Sequence, residues 1–371
     1  MKTRIISTIG PKTQSPEIIE KIIKAGVSMA RFNFSHATHD EFIRGVDIIQ
    51  KIALELKKQV KIIQDLQGPR IRVGDLPTEG IMLVKDADIG LTVGQTDLLS
   101  NLITINDKEL YADIKKNEPI FLANGLIELQ VVEVKDKIIW CQVVRGGMLV
   151  SKTAVNVPHT KLERGGLIEK DIEDVRFALE HGIVDYIALS FVQRAEDIIR
   201  LKELIDQNNK KKRQVKIISK IERGVALKDL DRIIMNSDAV MIARGDLGIE
   251  IPVENLPIIQ KHVIRHAHWH STPVIIATQV LSSMIANHTP TRAEVSDISN
   301  AVFDGADGVM LSDETAVGQF SVEAVRTLKR VISRAEDYLE KKNLFDENCI
   351  CHQDIDFPHC GACKNFMKNI K

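Results

Sequence analysis

Short runs of apolar and β-branched residues alternate with segments of helical pattern along most of this chain, and this alternation constrains the fold most strongly. Such an order is typical of βαβ units and therefore of a parallel sheet. Eight parallel strands joined by helices predict an α/β fold, the (β/α)8 TIM barrel, which takes about 250 residues. The predicted strands are Arg4–Thr8, Ser28–Asn33, Lys61–Asp65, Tyr186–Phe191, Lys216–Lys220, Ala239–Arg244, Pro273–Thr278 and Gly308–Ser312.

The chain has 371 residues, which is more than one such barrel needs. We assign residues 1–73 and 156–340 to a barrel domain and residues 74–155 to an insertion after the third strand. The insertion has short strands separated by turn signals, so we expect a small β-rich lid domain. Residues 341–371 form a polar tail rich in Cys and His. The predicted lid strands are Ile120–Leu122, Ile127–Val134 and Ile138–Val144, with turns at Asn124-Gly125 and Gly146-Gly147.

Overall charge excludes some classes of partner. The sequence has 50 Lys and Arg against 51 Asp and Glu, so no global field attracts nucleic acid or an anionic membrane. We expect neither partner, and we read the basic run at 210–213 as a solvated loop. Apolar runs fall far short of a membrane span, and the first residues lack the apolar region of a signal peptide. The expected location is the cytoplasm.

Charged side chains gather where the predicted strands end, which is where barrels of this class carry their functional residues. Glu222 and Asp246 follow neighbouring strands and can hold a hard divalent cation, Mg²⁺ or Mn²⁺. Lys220 is placed to stabilise charge on a transferring phosphoryl group, and Arg31 and Arg72 suit phosphate binding. Any one such pair could equally be a structural ion pair, but six strand ends converge. The sequence contains no Walker A motif.

Nine segments of the chain resemble the pyruvate kinase family in order and spacing, from residue 3 to about 340. The resemblance implies a barrel interrupted by a lid, and transfer of phosphate from phosphoenolpyruvate to ADP to give pyruvate and ATP in glycolysis. The segments read ISTIGPKTQSPE, ARFNFSH, DLQGPRIR, NGLIELQV, KIISKIE, MIARGDLGIEIP, ATQVL, PTRAEVSD and NAVFDGADGVMLSDETA.

The resemblance also implies a role for each matching residue. Catalysis would fall to Lys220, Thr278 and Arg31, with the enolate protonated near Thr278, while Glu222 and Asp246 would bind Mg²⁺. The nucleotide would meet Asn33, His36 and Arg72. The monovalent-cation site would be formed by Asn33, Ser35, Asp65 and the Leu66 carbonyl. Phosphoenolpyruvate would contact Arg31, Lys220, Gly245, Asp246, Thr278 and Ser312.

The chain departs from the family at several positions. Arg70 stands where K⁺-dependent relatives usually have Glu, so we hypothesise that its fixed charge replaces K⁺, which would then be weakly required or dispensable. Asp313 replaces the usual Gly of SGET, where it either disturbs the pocket or points to solvent. Thr153 stands where a nucleotide-contacting Lys is common, so nucleotide affinity or lid closure is expected to be weaker. No segment corresponds to the family's C-terminal domain, so we expect no activation by sugar phosphates, and we expect a homo-oligomer formed through barrel faces.

The tail offers thiols and imidazoles that the family does not use. Its cysteines could bind Zn²⁺, form a redox pair or be incidental to a disordered segment. His262, His266 and His270 share one helical face, which is more typical of a solvated or interface helix than of a metal site. The tail cysteines are Cys349, Cys351, Cys360 and Cys363.

The sequence thus supports two hypotheses of different class. The first is a pyruvate kinase that depends on Mg²⁺. The second is a catalytically altered relative that acts as a metabolite-binding or regulatory protein. Retention of the strand-end charges argues for the first, while Asp313 and Thr153 argue for altered function.

Overall fold

A computed structural model describes residues 2–163 and 165–345, and within them eight parallel strands close into a barrel. Each strand pairs with the next one in the chain, and β8 pairs with β1. The predicted (β/α)8 fold is therefore confirmed. The barrel strands are β1 (Arg4–Ile9), β2 (Val27–Asn33), β3 (Lys61–Asp65), β4 (Tyr186–Leu189), β5 (Lys216–Ile221), β6 (Ala239–Ala243), β7 (Val274–Ala277) and β8 (Gly308–Leu311).

Three of the helices that surround the barrel begin at capping residues that can be recognised in the sequence, Ser15, Thr38 and Thr291. The Ser15 side chain accepts a hydrogen bond from the Ile18 amide, with Pro16 at the first helical position. Thr38 forms a capping box with Glu41 in the next helix. The helices around the barrel are Pro16–Ala25, His39–Glu55, Glu169–His181, Ala195–Asn208, Leu230–Met235, Arg244–Glu250, Leu256–Trp269, Arg292–Asp304, Asp313–Ala316 and Ser321–Phe345.

Side chains alternate between two environments along each barrel strand. One set packs between the strands and the outer helices and forms the largest apolar cluster of the protein. The other set fills the barrel interior with a smaller cluster. Continuing the same alternation by two residues beyond this inner cluster reaches polar side chains at the mouth. The inner cluster consists of Ile6, Met29, Ile63, Ala188, Ile218, Ala239, Met241, Ile275, Ala277 and Met310.

Four strands end earlier than the sequence predicts, because the backbone turns at the mouth. Phe191 and Thr278 have φ of +55° and +64°, in the left-handed region that a β-branched residue such as Thr rarely adopts. Arg244 already belongs to a helix, and Ser312 precedes one. These turns aim strand-end groups into the mouth, and strain of this kind is typical of functional sites.

The segment between β3 and Glu169 folds over the mouth as a β-rich lid with its own apolar core. Two sheets form it, one of seven strands and one antiparallel pair of Ile81–Leu83 with Gly147–Leu149. Short helical turns lie at Leu98–Ser100 and Leu110–Asp113. In spatial order the larger sheet contains Ile71–Arg72, Ala154–Asn156, Pro119–Leu122, Ile127–Lys135, Ile138–Arg145, Asp88–Thr92 and Leu102–Thr104.

Within the described residues, no helix combines the length and the apolar composition needed to cross a bilayer.

Candidate active site

A cavity of about 510 Å³ lies at the C-terminal ends of the barrel strands. Its wall combines basic and acidic side chains from different strand ends, and Asn124 of the lid also lines it. Most residues singled out from the sequence meet here. Those in the wall are Arg31, Asn33, Ser35, His36, Leu66, Arg70, Lys220, Glu222, Gly245, Asp246, Thr278 and Ser312.

Lys220 lies at the centre of this constellation. Its Nζ is 3.0 Å from Asp65 Oδ1, 3.0 Å from Glu222 Oε1 and 2.7 Å from Ser190 Oγ. Burial alone would lower the pKa of Lys220, but the carboxylates of Asp65 and Glu222 outweigh it and hold that pKa above its ordinary value. The ammonium therefore stays charged and fixed in position.

Asp65 links Lys220 to Arg31. Arg31 Nε donates to Asp65 Oδ2 at 2.6 Å, and its Nη1 donates to Thr8 Oγ1 at 3.1 Å. Burial would raise the pKa of Asp65, but the charges of Lys220 and Arg31 keep it below its ordinary value. The buried carboxylate thus orients two cations that face one cavity, an arrangement suited to a phosphorylated ligand.

The donor set of Glu222 and Asp246 fits a divalent cation. Burial and the negative charges of Asp246 and Asp65 raise the pKa of Glu222, although Lys220 opposes them. A bound cation would relieve this excess of negative charge. Mg²⁺ binds through one or two carboxylates and completes its shell with water and phosphate oxygens, so two protein ligands suffice.

Arg70 lies against a proposed metal ligand. Its Nη2 donates to Asp246 Oδ1 at 2.7 Å, and its guanidinium lies 5.8 Å from the centre of the Phe191 ring. The structure therefore directs the Arg70 charge towards Asp246. Asp65, the acidic member of the candidate K⁺ site, is paired with Lys220 and Arg31 instead.

Thr278 and Ser312 close the cavity on the side of β7 and β8. The Gly245 amide donates to Thr278 Oγ1 at 2.7 Å, and this hydroxyl donates to the Ala277 carbonyl. Ser312 Oγ is buried and has no hydrogen-bond partner among the residues that the structure describes. Both hydroxyls face the cavity, where a substrate carboxylate or enolate can meet them.

Three of the candidate K⁺ ligands, the Asn33 side chain, Asp65 and the Leu66 carbonyl, already have protein partners. Asn33 Oδ1 accepts from the Ser35 amide at 3.1 Å, and the Leu66 carbonyl accepts from Ser190 Oγ at 2.6 Å. Asn33 is level with Asp65 in the pairing of β2 with β3. Among the proposed nucleotide residues, His36 lines the cavity.

Arg72 lies outside the set of residues that line this cavity. Its Nη1 donates to the Lys152 carbonyl at 2.9 Å, within the lid. Burial and the charge of Arg70 lower the pKa of Arg72.

Sequence reasoning missed several residues of the mouth. Ser190 contacts Lys220, and Thr8 contacts Arg31. Ser190 directly follows β4 and Thr8 is the penultimate residue of β1, two strand ends that supplied no candidate from the sequence. The inner-face alternation could have found them, since they lie two residues beyond Ala188 and Ile6. Asp313 is exposed to solvent and also lines the cavity. Whether it disturbs the pocket stays a prediction.

The proposed zinc ligands Cys349, Cys351, Cys360 and Cys363 lie outside the described residues. The three histidines on one helix do not form a metal site: within residues 2–163 and 165–345, no group of three or more His, Cys, Asp or Glu side chains could hold a metal ion. His266 Nδ1 lies 2.7 Å from Asp231 Oδ1, and His270 Nε2 lies 3.7 Å from the same oxygen.

Fold and cavity together define a class of protein, the (β/α)8 barrels with a β-rich lid inserted over a charged mouth. A solved structure of a pyruvate kinase from Cryptosporidium parvum has this architecture: it matches with a TM-score of 0.86 and 36% identity, over 93% of this chain and 71% of that one. Residues 1–325 match the family described as pyruvate kinase, barrel domain.

Curated pyruvate kinases show the same likeness in sequence. The Thermotoga maritima protein is 42% identical over 340 residues, and the Thermococcus litoralis protein is 41% identical over 339 residues, each across 91% of this chain. The chain thus belongs to the pyruvate kinase family. It spans 72% and 70% of the length of those two relatives, and 58% of the Sporosarcina psychrophila pyruvate kinase, to which it is 40% identical.

Proposed function

We propose that this protein is an active pyruvate kinase, which transfers a phosphoryl group from phosphoenolpyruvate to ADP and releases pyruvate and ATP. The observation that carries the proposal is the position of Lys220. Its buried ammonium is held by Asp65, Ser190 and Glu222 in a cavity that Asp246 also lines. Loose phosphoryl-transfer transition states require such fixed charge more than they require covalent chemistry.

Lys220 stabilises the negative charge that develops on the transferring phosphoryl oxygens. It needs no reorientation during the reaction, because three side chains already fix it. Arg31 binds the phosphate of phosphoenolpyruvate from the opposite side of Asp65, which pairs with both cations. Glu222 and Asp246 hold Mg²⁺ or Mn²⁺. A metal ion held by these two carboxylates would supply positive charge that neutralises the phosphate oxygens of the substrate.

The remaining part of the substrate meets β7, β8 and the helix that follows β6. Backbone amides at Gly245 and Asp246 lie at the first turn of the helix Arg244–Glu250, where N–H groups favour an anion. Thr278 places a hydroxyl beside this turn, and the Ser312 hydroxyl is available for the carboxylate. Proton delivery to the enolate near Thr278 completes pyruvate.

We place the nucleotide at the outer part of the cavity, towards the lid. Asn33 and His36 line the cavity, as does Asn124 of the lid, and the Arg72 guanidinium donates to the Lys152 carbonyl within the lid. Closure of the lid would bring these groups to the ADP phosphates and exclude water.

The candidate K⁺ site has a reduced need for a monovalent ion. Asp65 already pairs with Lys220 and Arg31, and the Leu66 carbonyl accepts from Ser190. Arg70 supplies a further fixed positive charge in the same cavity. We therefore keep the hypothesis that K⁺ is weakly required, with the Arg70 charge acting at Asp246.

We further propose that this activity serves glycolysis in the cytoplasm and that the chain forms a homo-oligomer through barrel faces. Membership of the pyruvate kinase family supports this proposal. Size-exclusion chromatography with light scattering measures the oligomeric state directly.

The test is pyruvate formation from phosphoenolpyruvate, ADP and Mg²⁺ by the full chain. The proposal predicts turnover that needs all three components. A protein that binds phosphoenolpyruvate and the metal but gives no pyruvate would favour the alternative, a metabolite-binding relative altered at its mouth by Asp313. Reversion of this residue by Asp313→Gly would then be the next variant.

A further inference from the structure

Arg223 is a buried arginine beside the cavity for which the phosphoryl-transfer scheme gives no role. It directly follows Glu222, yet it does not line the cavity. Its side chain is 4% exposed and pairs with Glu250, which is 2% exposed, at 3.0 Å from Nε to Oε2. A fully buried ion pair is costly to desolvate and contributes little net stability to the fold. Stability alone therefore does not account for this pair.

The Arg223 guanidinium also holds the return segment of the lid. Its Nη2 donates to the Val157 carbonyl at 2.9 Å and to the Thr160 carbonyl at 2.8 Å. These carbonyls follow the last lid strand, Ala154–Asn156, and lead back to the barrel helix that begins at Glu169. The Thr160 hydroxyl in turn donates to Glu118 of the lid at 2.6 Å. One side chain of the barrel therefore fixes the exit of the lid.

The same ion pair joins the two elements that carry the metal-binding carboxylates. Glu222 is the residue before Arg223, at the end of β5. Glu250 ends the helix Arg244–Glu250, whose first turn contains Asp246. The Gly224 amide also donates to Glu250 Oε2, at 3.4 Å. Beyond the pairing of β5 with β6, these contacts to Glu250 join the two segments that carry Glu222 and Asp246.

We propose that Arg223 and Glu250 are positioning residues that couple the seating of the lid return segment, residues 157–160, to the spacing of Glu222 and Asp246. Metal binding then orders the lid exit, and displacement of the lid exit weakens the metal site. This inference rests on the proposed function in one respect, the assignment of Glu222 and Asp246 as metal ligands. A purely structural ion pair would stabilise the fold without any such coupling.

The coupling is tested on the full chain with Mn²⁺ alone as the probe, without turnover. Free Mn²⁺ is measured by electron paramagnetic resonance, and amide exchange over residues 154–162 is measured with and without Mn²⁺. The variants are Arg223→Met and Arg223→Lys, and Lys61→Met is the control. Lys61 pairs with Asp185 at 3.0 Å at the opposite end of the barrel, so its loss removes an ion pair remote from the cavity.

We expect Arg223→Met to weaken Mn²⁺ binding by about tenfold or more, as loss of a supporting contact behind metal ligands usually does. It should also abolish the protection that Mn²⁺ gives residues 154–162. Arg223→Lys keeps a positive charge opposite Glu250 and is therefore the variant that controls for unfolding. It should recover part of the Mn²⁺ affinity and part of the Mn²⁺-dependent protection. Lys61→Met should match the wild type.

Wild-type affinity for Mn²⁺ in both Arg223 variants would overturn the coupling while leaving the metal site and the proposed activity intact. Unchanged Mn²⁺-dependent protection in the variants would overturn it equally. Failure of the wild-type protein to bind Mn²⁺ would overturn both the metal assignment and the coupling. A wild-type protein that binds Mn²⁺ but forms no pyruvate would overturn the proposed activity alone.

Discussion

Arg70 Nη2 lies 2.7 Å from Asp246 Oδ1, so a fixed cation occupies one oxygen of a proposed magnesium ligand. The two residues are 176 positions apart in the chain, and the closed barrel brings them together. Their ion pair is partly buried, with side chains 28% and 19% exposed, which limits screening by solvent. Before metal binds, Arg70 neutralises Asp246, and it remains in the cavity as a permanent charge.

Replacement of Arg70 is the first prediction. Exchange of K⁺ for tetramethylammonium at constant ionic strength should change turnover of the wild-type protein by less than about twofold, because fixed cations already supply the charge. Arg70→Glu adds a carboxylate to the same cavity and should make turnover strongly dependent on K⁺. Strong K⁺ stimulation of the wild type, or none in the Glu variant, would count against the role of Arg70.

Neutralisation of the proposed metal ligands Glu222 and Asp246 should weaken the binding of the divalent cation. Glu222→Gln and Asp246→Asn keep the side-chain size and remove the negative charge that a divalent cation needs. Each should raise the Mg²⁺ concentration for half-maximal activity by about tenfold or more, the cost usual for impaired metal sites. Asp313→Asn, also at the mouth, serves as the matched control. An equal shift in all three variants would indicate a general field effect in place of direct ligation.

A pair of substitutions on one helix tests the packing of the barrel. Phe42 is fully buried and packs edge-to-face on Phe32 and Phe34, with ring centres 5.0 Å apart in both pairs. Phe42→Ala should lower the free energy of unfolding by about 3–5 kcal/mol, the usual cost of such a cavity. Leu54 on the same helix is 80% exposed, so Leu54→Ala should change the free energy of unfolding by less than about 0.5 kcal/mol. Urea unfolding measures both values, and similar effects would show that the helix packs differently.

The buried Asp171 gives a dependence of stability on pH. Its carboxylate accepts from the Gly68 and Ile168 amides, and burial raises its pKa from 3.8 to about 6. Between these two pH values the folded protein keeps a proton that the unfolded chain has lost. The contribution of Asp171 to the free energy of unfolding therefore falls as pH rises through this window and is constant above it.

Asp171→Asn lacks this titration, which makes it the matched comparison. The free energy of unfolding of the wild type, relative to the variant, should fall by on the order of 3 kcal/mol across the window. Urea unfolding at a series of pH values gives the difference directly. A constant difference between the two proteins throughout the window would show that Asp171 ionises with its ordinary pKa.

Much of the fold could be predicted because its signals are local. Apolar periodicity marks the strands, and Ser15 with Pro16 marks a helix start that the structure contains. Strand ends were less predictable: Phe191 and Thr278 leave the strand with positive φ, which no propensity for these residue types suggests. The position at which these strands end is set by how the backbone turns at the mouth of the barrel.

Alternate residues that extend the inner face of a strand lead from the sequence to the cavity, as Lys220 extends Ile218. The contact of Ser190 with Lys220, at 2.7 Å, becomes visible only when β4 and β5 are paired. Arg70 lines the cavity as well, but its pairing with Asp246 depends on a contact across the barrel. Long-range contacts of this kind are absent from any local pattern.

We propose that the fixed charge of Lys220 drives phosphoryl transfer. The most direct test is the kcat of the Lys220→Met variant for pyruvate formation at saturating phosphoenolpyruvate, ADP and Mg²⁺. Lys220→Met should lower kcat by about 10²–10³-fold or more, the cost usual for removal of a preorganised charge-stabilising donor, in a protein that still binds phosphoenolpyruvate. A variant that binds phosphoenolpyruvate and retains kcat close to the wild-type value would contradict this role of Lys220.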